Sequence, residues 1–245
     1  MKTAIGVMAR APLPGRCKTR LLAAHSPEWV AGLYAAMLRD TLDGLQSVQA
    51  DDYFVFVAPV PPSVEEEERE GPGGDDEART KLAFEVLARH VPAPWQLVAQ
   101  SGGPLRGDDL GARVEHALGI MFERGAGYAL LSSSDAPSFP PAPLAEAFAD
   151  EATHGQVLIG PSDDGGYYVI GMSRLEPRLL RDIPWSTPAV METTRLRCKE
   201  LGLTIRELPR WYDVDQPSDV LRLVDELRKE PELAPRTAQF LVMNA

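Results

Sequence analysis

The sequence predicts an α/β fold organised around a buried parallel sheet. Two observations lead to this. Short apolar runs alternate along the chain with stretches of helical hydrophobic spacing, the pattern of strands that need helices to cover them. The stretch Tyr128 to Pro137 also joins an apolar run to small polar residues, one carboxylate and a proline. A continuous apolar run of this kind fits a strand buried on both faces. Asp135 then falls just past the strand's carboxyl end, where open α/β sheets place ligands. Pro137 restricts Ala136 to extended or turn conformations, which would hold the carboxylate at the edge. A lone carboxylate there suits a hard divalent cation completed by phosphate oxygens and water. Capping of the following turn explains the same residue equally well.

The other elements follow in order. Thr3 to Ala9 reads as the first strand. Ser26-Pro27 supplies an N-cap and a first-turn proline. From there Trp29, Val30, Leu33, Met37, Leu38, Thr41, Leu42 and Leu45 keep helical spacing to about Val48. Asp52 to Ala58 is the second strand. Residues 61–80 are rich in Pro, Gly, Glu and Asp and read as a mobile, solvated acidic insertion. Helical spacing resumes from Lys81 to His90, and Trp95 to Ala99 is the third strand. A helix carrying Leu110, Val114, Leu118 and Met121 follows, then the Asp135 strand. Pro140, Pro141 and Pro143 start a helix through Ala149. Gln156 to Gly160 is a further strand, and Asp164-Gly165-Gly166 before the next apolar run signals a tight turn. Trp185-Ser-Thr187-Pro188 reads as a cap opening a helix to about Leu201. Leu203 to Leu208 is a late strand, and Pro217 opens the next helix.

At 245 residues, with 44% hydrophobic and 25% charged residues, the chain is expected to form one soluble domain spanning 1–245. No apolar run approaches membrane-spanning length, and the N-terminus lacks a signal-peptide core, so cytoplasmic residence without membrane insertion is expected. Cys17 and Cys198 are too few and too far apart for a disulfide framework or zinc knuckle. The four histidines are scattered. A net charge of −11 disfavours nucleic acid as a partner.

Against that negative total, the loop after the first strand carries Arg10, Arg16, Lys18 and Arg20 within eleven residues. Two prolines and Gly15 direct its backbone. Arg offers a planar fork for phosphate oxygens and Lys a movable point charge, so the loop is a candidate phosphate holder. It is not a Walker A loop, because the preceding glycines are missing. Gly102 and Gly103 would allow close approach of a flat ligand, although a plain strand-to-helix turn accounts for them too. Asp108 reads as a helix cap. Asp163 and Asp164 beside Tyr167 and Tyr168 could hydrogen-bond a hydroxylated acceptor. Asp213 and Asp215 lie two apart, so in an extended segment both carboxylates face one side and repel unless a cation lies between them. Turn and cap chemistry is the competing explanation. Ser132 to Ser134 lack a nucleophile-elbow pattern, which argues against a serine hydrolase.

Taken together, Met8 to Leu21, Asp109 to Arg113, Ser134 to Pro137, Gly160 to Tyr167 and Tyr212 to Asp215 resemble the radical-SAM/selenodomain-associated transferases. That family is grouped with GT-A nucleotide-diphospho-sugar transferases and is distantly similar to molybdenum cofactor guanylyltransferases. The resemblance covers nearly the whole chain. It implies a three-layer α/β/α fold with a mostly parallel, mixed, Rossmann-like sheet. It also implies that the first loop holds nucleotide phosphates, that Asp135 is the metal-binding position, and that Asp213 or Asp215 supplies a second carboxylate. Arg10 stands where the family often has Lys. Gln216 stands where Thr is common, and Gln is a weaker N-cap by about 1 kcal/mol.

The combined expectation is a transferase dependent on Mg²⁺ or Mn²⁺ that moves a group from a nucleotide sugar to a small acceptor. Asp135, Asp213 and Asp215 are the metal candidates. Arg10, Arg16, Lys18, Arg20, Gly102, Gly103, Gly165, Gly166 and Tyr167 are the ligand-binding candidates. Asp164, with Asp163 as its rival, would orient or deprotonate the acceptor. Nucleotidyl transfer from a triphosphate to a phosphorylated small molecule is the alternative, and a non-catalytic nucleotide-binding protein a third. Base, sugar, acceptor and oligomeric state have no sequence signal.

Overall fold

The computed structural model describes residues 1–63, 76–100, 110–150 and 155–244. Its centre is a seven-stranded mixed sheet in the order β3-β2-β1-β4-β6-β5-β7. The strands are β1 (Thr3–Ala9), β2 (Asp52–Val57), β3 (Gln96–Ala99), β4 (Tyr128–Ser132), β5 (Val157–Pro161), β6 (Tyr167–Met172) and β7 (Ile205–Glu207). β3, β2, β1 and β4 pair in parallel, as do β5 and β7. β6 runs antiparallel to both β4 and β5, because the short Asp164-Gly165-Gly166 turn returns the chain at once. The parallel pairs use helical crossovers instead.

The helices are α1 (Pro27–Gln46), α2 (Asp76–Leu87), α3 (Leu110–Glu123), α4 (Pro141–Ala149), the single turn α5 (Pro177–Leu180), α6 (Val190–Glu200), α7 (Pro217–Leu227) and α8 (Pro235–Met243). Alternation along the strands divides the core into two layers. Ile5, Val7, Val55, Val57 and Leu130 pack against Leu38 and Leu42 of α1, Leu87 of α2 and Leu144 of α4. Ala4, Phe54, Phe56, Ala129 and Leu131 pack on the other face against Leu118 and Met121 of α3 and Met191 of α6. The result is the expected three-layer α/β/α architecture. Each fully buried Leu in it contributes about 2 kcal/mol from apolar area removed from water.

A third cluster attaches α7 to α1 through Leu33, Met37, Tyr212, Val214, Val220 and Leu223. The Asp40 carboxylate of α1 accepts the amides of Arg236 (3.2 Å) and Thr237 (2.8 Å), capping the start of α8 from a distant element.

Several boundaries differ from the sequence reading. The helix expected at Lys81 begins at Asp76, so the last part of the supposed 61–80 insertion is helical. Asp76 and Glu77 favour that start by sitting at the positive end of the helix dipole. Residues 64–75 lie outside the described residues. The helix expected from Thr187 starts at Val190. Thr187 Oγ1 instead donates to the Pro184 carbonyl at 2.7 Å, bracing a loop. The start of α7 is also held better than Gln216 alone implies. Asp219 Oδ2 accepts from the amides of Asp215 (3.0 Å) and Gln216 (2.7 Å), so a carboxylate in the first turn does the capping.

Candidate active site

The carboxyl ends of β1 and β4 and the start of β6 open into a cleft of about 680 Å³. This is the ligand position that the parallel half of the sheet dictates. Arg10, Lys18 and Arg20 line it from the β1 loop, Ser133, Ser134 and Asp135 from the end of β4, and Asp164 and Tyr167 from the β5–β6 turn. Asp215 reaches it from the extended segment before α7.

That last segment is tied to the site by its backbone. Trp211 donates its amide to the carbonyl of Pro161 (3.0 Å), and Val214 donates to the carbonyl of Asp135 (2.8 Å). Asp135 and Asp215 are thereby brought beside each other from positions 80 residues apart. Lys18 lies between them. Its ammonium is 2.8 Å from Asp135 Oδ1 and 2.7 Å from Asp215 Oδ1, and its side chain is only 7% exposed. Lys18 adopts a left-handed backbone conformation (φ 45°, ψ 44°), which is strained for a residue with a Cβ. Arg20 stands 3.6 Å from the other oxygen of Asp215 and is largely exposed.

The electrostatics follow from one ammonium shared by crowded carboxylates. Burial alone would lower the Lys18 pKa, but the charges of Asp135 and Asp215 and their hydrogen bonds outweigh it and raise it. Burial pushes Asp215 upward, yet Lys18 and Arg20 leave it below its ordinary value. Asp213 has no such partner. Its carboxylate accepts from the Ser162 hydroxyl. Burial, then the negative charge of Asp135, pushes its pKa up to about 7.

Several candidate residues sit elsewhere. Arg16 donates to the Pro61 carbonyl, and Asp163 pairs with Arg222 at 2.7 Å; neither lines the cleft. Asp213 lies close enough to feel Asp135, Asp164 and Lys18, but its carboxylate is turned to Ser162. Gly165 and Gly166 shape the turn rather than the cleft wall. The Gly166 amide donates to Asp164 Oδ1 at 2.9 Å. Gly165 has a φ of +90° and packs so tightly on Pro188 that a Cβ would lie 2.4 Å from the Pro188 carbonyl oxygen. Tyr168, expected to face an acceptor with Tyr167, borders the cleft but passes its ring over Gly160 and donates its hydroxyl to the Pro209 carbonyl at 2.9 Å. Strand alternation sends these neighbouring tyrosines to opposite faces. Gly102, Gly103 and Asp108 lie outside the described residues.

Sequence reading missed four cleft residues. Tyr34 of α1 bonds Ser134 (2.8 Å) and accepts the Arg10 amide (3.0 Å), and Ser134 donates to Asp135 Oδ1 at 3.3 Å. Burial raises the Tyr34 phenol pKa to about 12, which keeps it protonated as a donor. Its only sequence signal was a hydroxyl-bearing aromatic on an otherwise apolar helix face. Arg113 donates to the buried Gln100 amide at 3.3 Å, and both line the β1 side. Trp185 joins the opposite wall from the stretch read as a helix cap, which carried no sign of a place in the cleft.

Among the described residues, no three His, Cys, Asp or Glu side chains group closely enough to hold a metal by themselves. Asp135 and Asp215 nonetheless present hard oxygen donors, each about a third exposed, beside a cationic loop. That donor set fits a Mg²⁺- or Mn²⁺-like ion that keeps most of its shell as phosphate oxygens and water.

A protein-family model described as "Uncharacterized protein conserved in bacteria (DUF2064)" matches residues 74–187, a little under half of the chain. Over 100% of this chain and 96% of the other, the protein is similar to a candidate nucleotide-diphospho-sugar transferase from Desulfovibrio desulfuricans G20, with 27% identity and a TM-score of 0.79. It is also similar to a nucleotidyl transferase from Methanothermobacter (17% identity, 94% of this chain and 99% of that one, TM-score 0.56). A third solved relative is the inositol-1-phosphate CTP transferase from T. maritima (13% identity, 97% of this chain and 96% of that one, TM-score 0.53). At those identities the last two share the fold with this chain. No curated protein matches it in sequence. Among the described residues, no helix is long and apolar enough to cross a membrane.

Proposed function

We propose that this protein is a metal-dependent transferase that uses a nucleotide-activated donor, and that the donor is a nucleotide sugar. The observation that carries the reading is the Asp135–Lys18–Asp215 cluster at the carboxyl edge of the sheet, beside Arg10 and Arg20. Such a group combines fixed cations for a diphosphate with hard oxygens for a divalent cation. The similarity in sequence and fold to a candidate nucleotide-diphospho-sugar transferase supports the donor class.

In this reading Asp135, with Asp215, would hold Mg²⁺ or Mn²⁺, which supplies Lewis-acid stabilisation of the leaving diphosphate. Lys18, Arg20 and Arg10 contribute fixed positive charge to the same leaving group. Arg10, whose amide is held by Tyr34, is thus set at the start of the phosphate loop. An acceptor hydroxyl oxygen bonds to the sugar's anomeric carbon as the bond from that carbon to the β-phosphate oxygen breaks. The electron pair leaves with the nucleoside diphosphate, and the hydroxyl proton passes to Asp164 or water. Asp164 is favoured over Asp163 because it lines the cleft, whereas Asp163 is paired with Arg222.

Nucleotidyl transfer is the second reading, and the fold shared with the Methanothermobacter and T. maritima enzymes favours it. There a triphosphate would occupy the same loop and pyrophosphate would leave. A thermal-shift screen of nucleoside diphosphates, triphosphates and nucleotide sugars, with and without Mn²⁺, tests the common premise. A Mn²⁺-dependent rise in Tm with at least one nucleotide is expected. No shift with any of them would overturn both readings.

A further inference from the structure

The cleft is divided by charge along the sheet. On the β1 side it is lined by Arg10, Lys18, Arg20 and Arg113. On the β6 side the described lining residues include Asp164, Tyr167, Trp185, Thr187 and Pro188, with no Lys or Arg among them. β4 separates the two halves in the sheet order.

The β6 wall is built rather than loose. The Gly165 carbonyl accepts the Met191 amide at 2.8 Å, and Gly165 packs directly on Pro188. Thr187 Oγ1 bonds back to Pro184, and Trp185 meets the half-buried Tyr167 ring edge-on at 5.8 Å between centroids. Ser186, next to Trp185, takes a left-handed conformation (φ 61°), which the bracing on both sides maintains. The indole is therefore fixed in the same cleft wall that carries Asp164. The Asp164 carboxylate gives one oxygen to Gly166 and retains further acceptor capacity toward the cleft.

An aromatic plane in one wall with a carboxylate, and no Lys or Arg among the described lining residues of that wall, recognises a particular chemistry. Hydroxyl groups donate to the carboxylate, and the C–H face of a ring or polyol packs on the indole. A phosphate monoester would meet the like charge of Asp164, with no Lys or Arg among the described lining residues of that wall to offset it. We infer that the Trp185–Asp164 wall is the acceptor subsite, and that it takes an uncharged polyhydroxylated molecule rather than a phosphorylated one. This rests on the transferase reading for the word acceptor, but the binding preference follows from the wall alone.

The test is saturation-transfer NMR and calorimetric titration of the full chain with myo-inositol, glycerol and glucose, against glucose 1-phosphate and glycerol 3-phosphate. UDP, GDP, CDP and ADP with Mn²⁺ are titrated in parallel. The neutral compounds should bind at least about tenfold tighter than their phosphates. Trp185→Ala should weaken them by about tenfold, Trp185→Phe should restore most of the loss, and nucleotide affinity should be unchanged in both. Asp164→Asn should narrow the gap between neutral and phosphorylated compounds. Preference for the phosphates, no binding of any neutral compound, or indifference to Trp185→Ala would overturn the inference. Polyol binding without any nucleotide binding would instead leave this subsite standing and sink the nucleotide-donor reading.

Discussion

The Lys18 ammonium lies 2.8 Å from Asp135 Oδ1 and ties the first loop of the chain to the end of the central strand β4. Asp215 completes the bridge from a segment near the C-terminus. One side chain thus neutralises two carboxylates that would otherwise repel across the cleft. It does so from a strained backbone, so the bridge outweighs the strain.

Lys18→Met should therefore affect both stability and binding. Loss of the shared cation should destabilise the fold by about 2 kcal/mol, less than for a fully buried pair because both carboxylates are a third exposed. Arg20→Ala removes an exposed cation and should change stability by no more than about 0.5 kcal/mol. Both should weaken nucleoside diphosphates by about 1.5–3 kcal/mol while sparing bare nucleosides. Denaturant titration and calorimetry with the two ligand types check this. Equal weakening of both ligands would mean that the loop only shapes the cleft.

Asp213 makes stability depend on pH. In the folded chain it releases its proton near pH 7, against an ordinary value of 3.8. Between about pH 4 and 7 the folded state holds a proton that the unfolded state has lost, so raising the pH disfavours folding over that window. Above it both states are ionised and the effect stops growing. Asp213→Asn should remove this part of the slope. Thermal melts of both proteins from pH 4 to 8 give the comparison, and parallel curves would exclude Asp213 as the cause.

Gly165 and Gly125 form a matched pair for the turn. Both have a φ near +90°, but a Cβ at Gly125 meets nothing within 4 Å, whereas one at Gly165 strikes Pro188. Gly125→Ala should cost about 1 kcal/mol from backbone conformation alone. Gly165→Ala should cost about 2 kcal/mol more and loosen the Trp185 loop. Equal losses in chemical denaturation would show that the Pro188 contact relaxes freely.

Tyr34→Phe tests the support behind Asp135. The lost hydroxyl leaves the Arg10 amide and Ser134 without their shared partner, a loss of about 1–2 kcal/mol. Nucleoside diphosphate affinity should fall with it, since the start of the phosphate loop is no longer held. Unchanged affinity would confine Tyr34 to the core.

Much of the fold could be read locally. β4 is buried at every residue, and its continuous apolar run stated as much. Ser26 caps α1 by accepting the Trp29 amide, as Ser26-Pro27 implied. The site was legible in part, because Asp135, Lys18 and Asp215 each carry the right chemistry at an element's end. Their meeting was not legible, because it depends on Val214 bonding to Asp135 about 80 residues earlier in the chain. Asp163 and Asp164 show the same limit. Adjacent identical residues give no sequence reason for one to line the cleft and the other to pair with Arg222 on α7. Trp185 left no sequence signal as a cleft residue, since its place follows from the Gly165–Pro188 contact.

The central claim is tested most directly by the leaving group. The protein is incubated with Mn²⁺, a panel of nucleotide sugars and neutral polyol acceptors, and then with triphosphates and phosphorylated acids. Nucleoside diphosphate and pyrophosphate are followed together. The account predicts acceptor-dependent release of a nucleoside diphosphate from a nucleotide sugar, abolished by Asp135→Asn without loss of the fold. Acceptor-dependent pyrophosphate release, with no diphosphate formed from any sugar donor, would contradict it and establish nucleotidyl transfer instead.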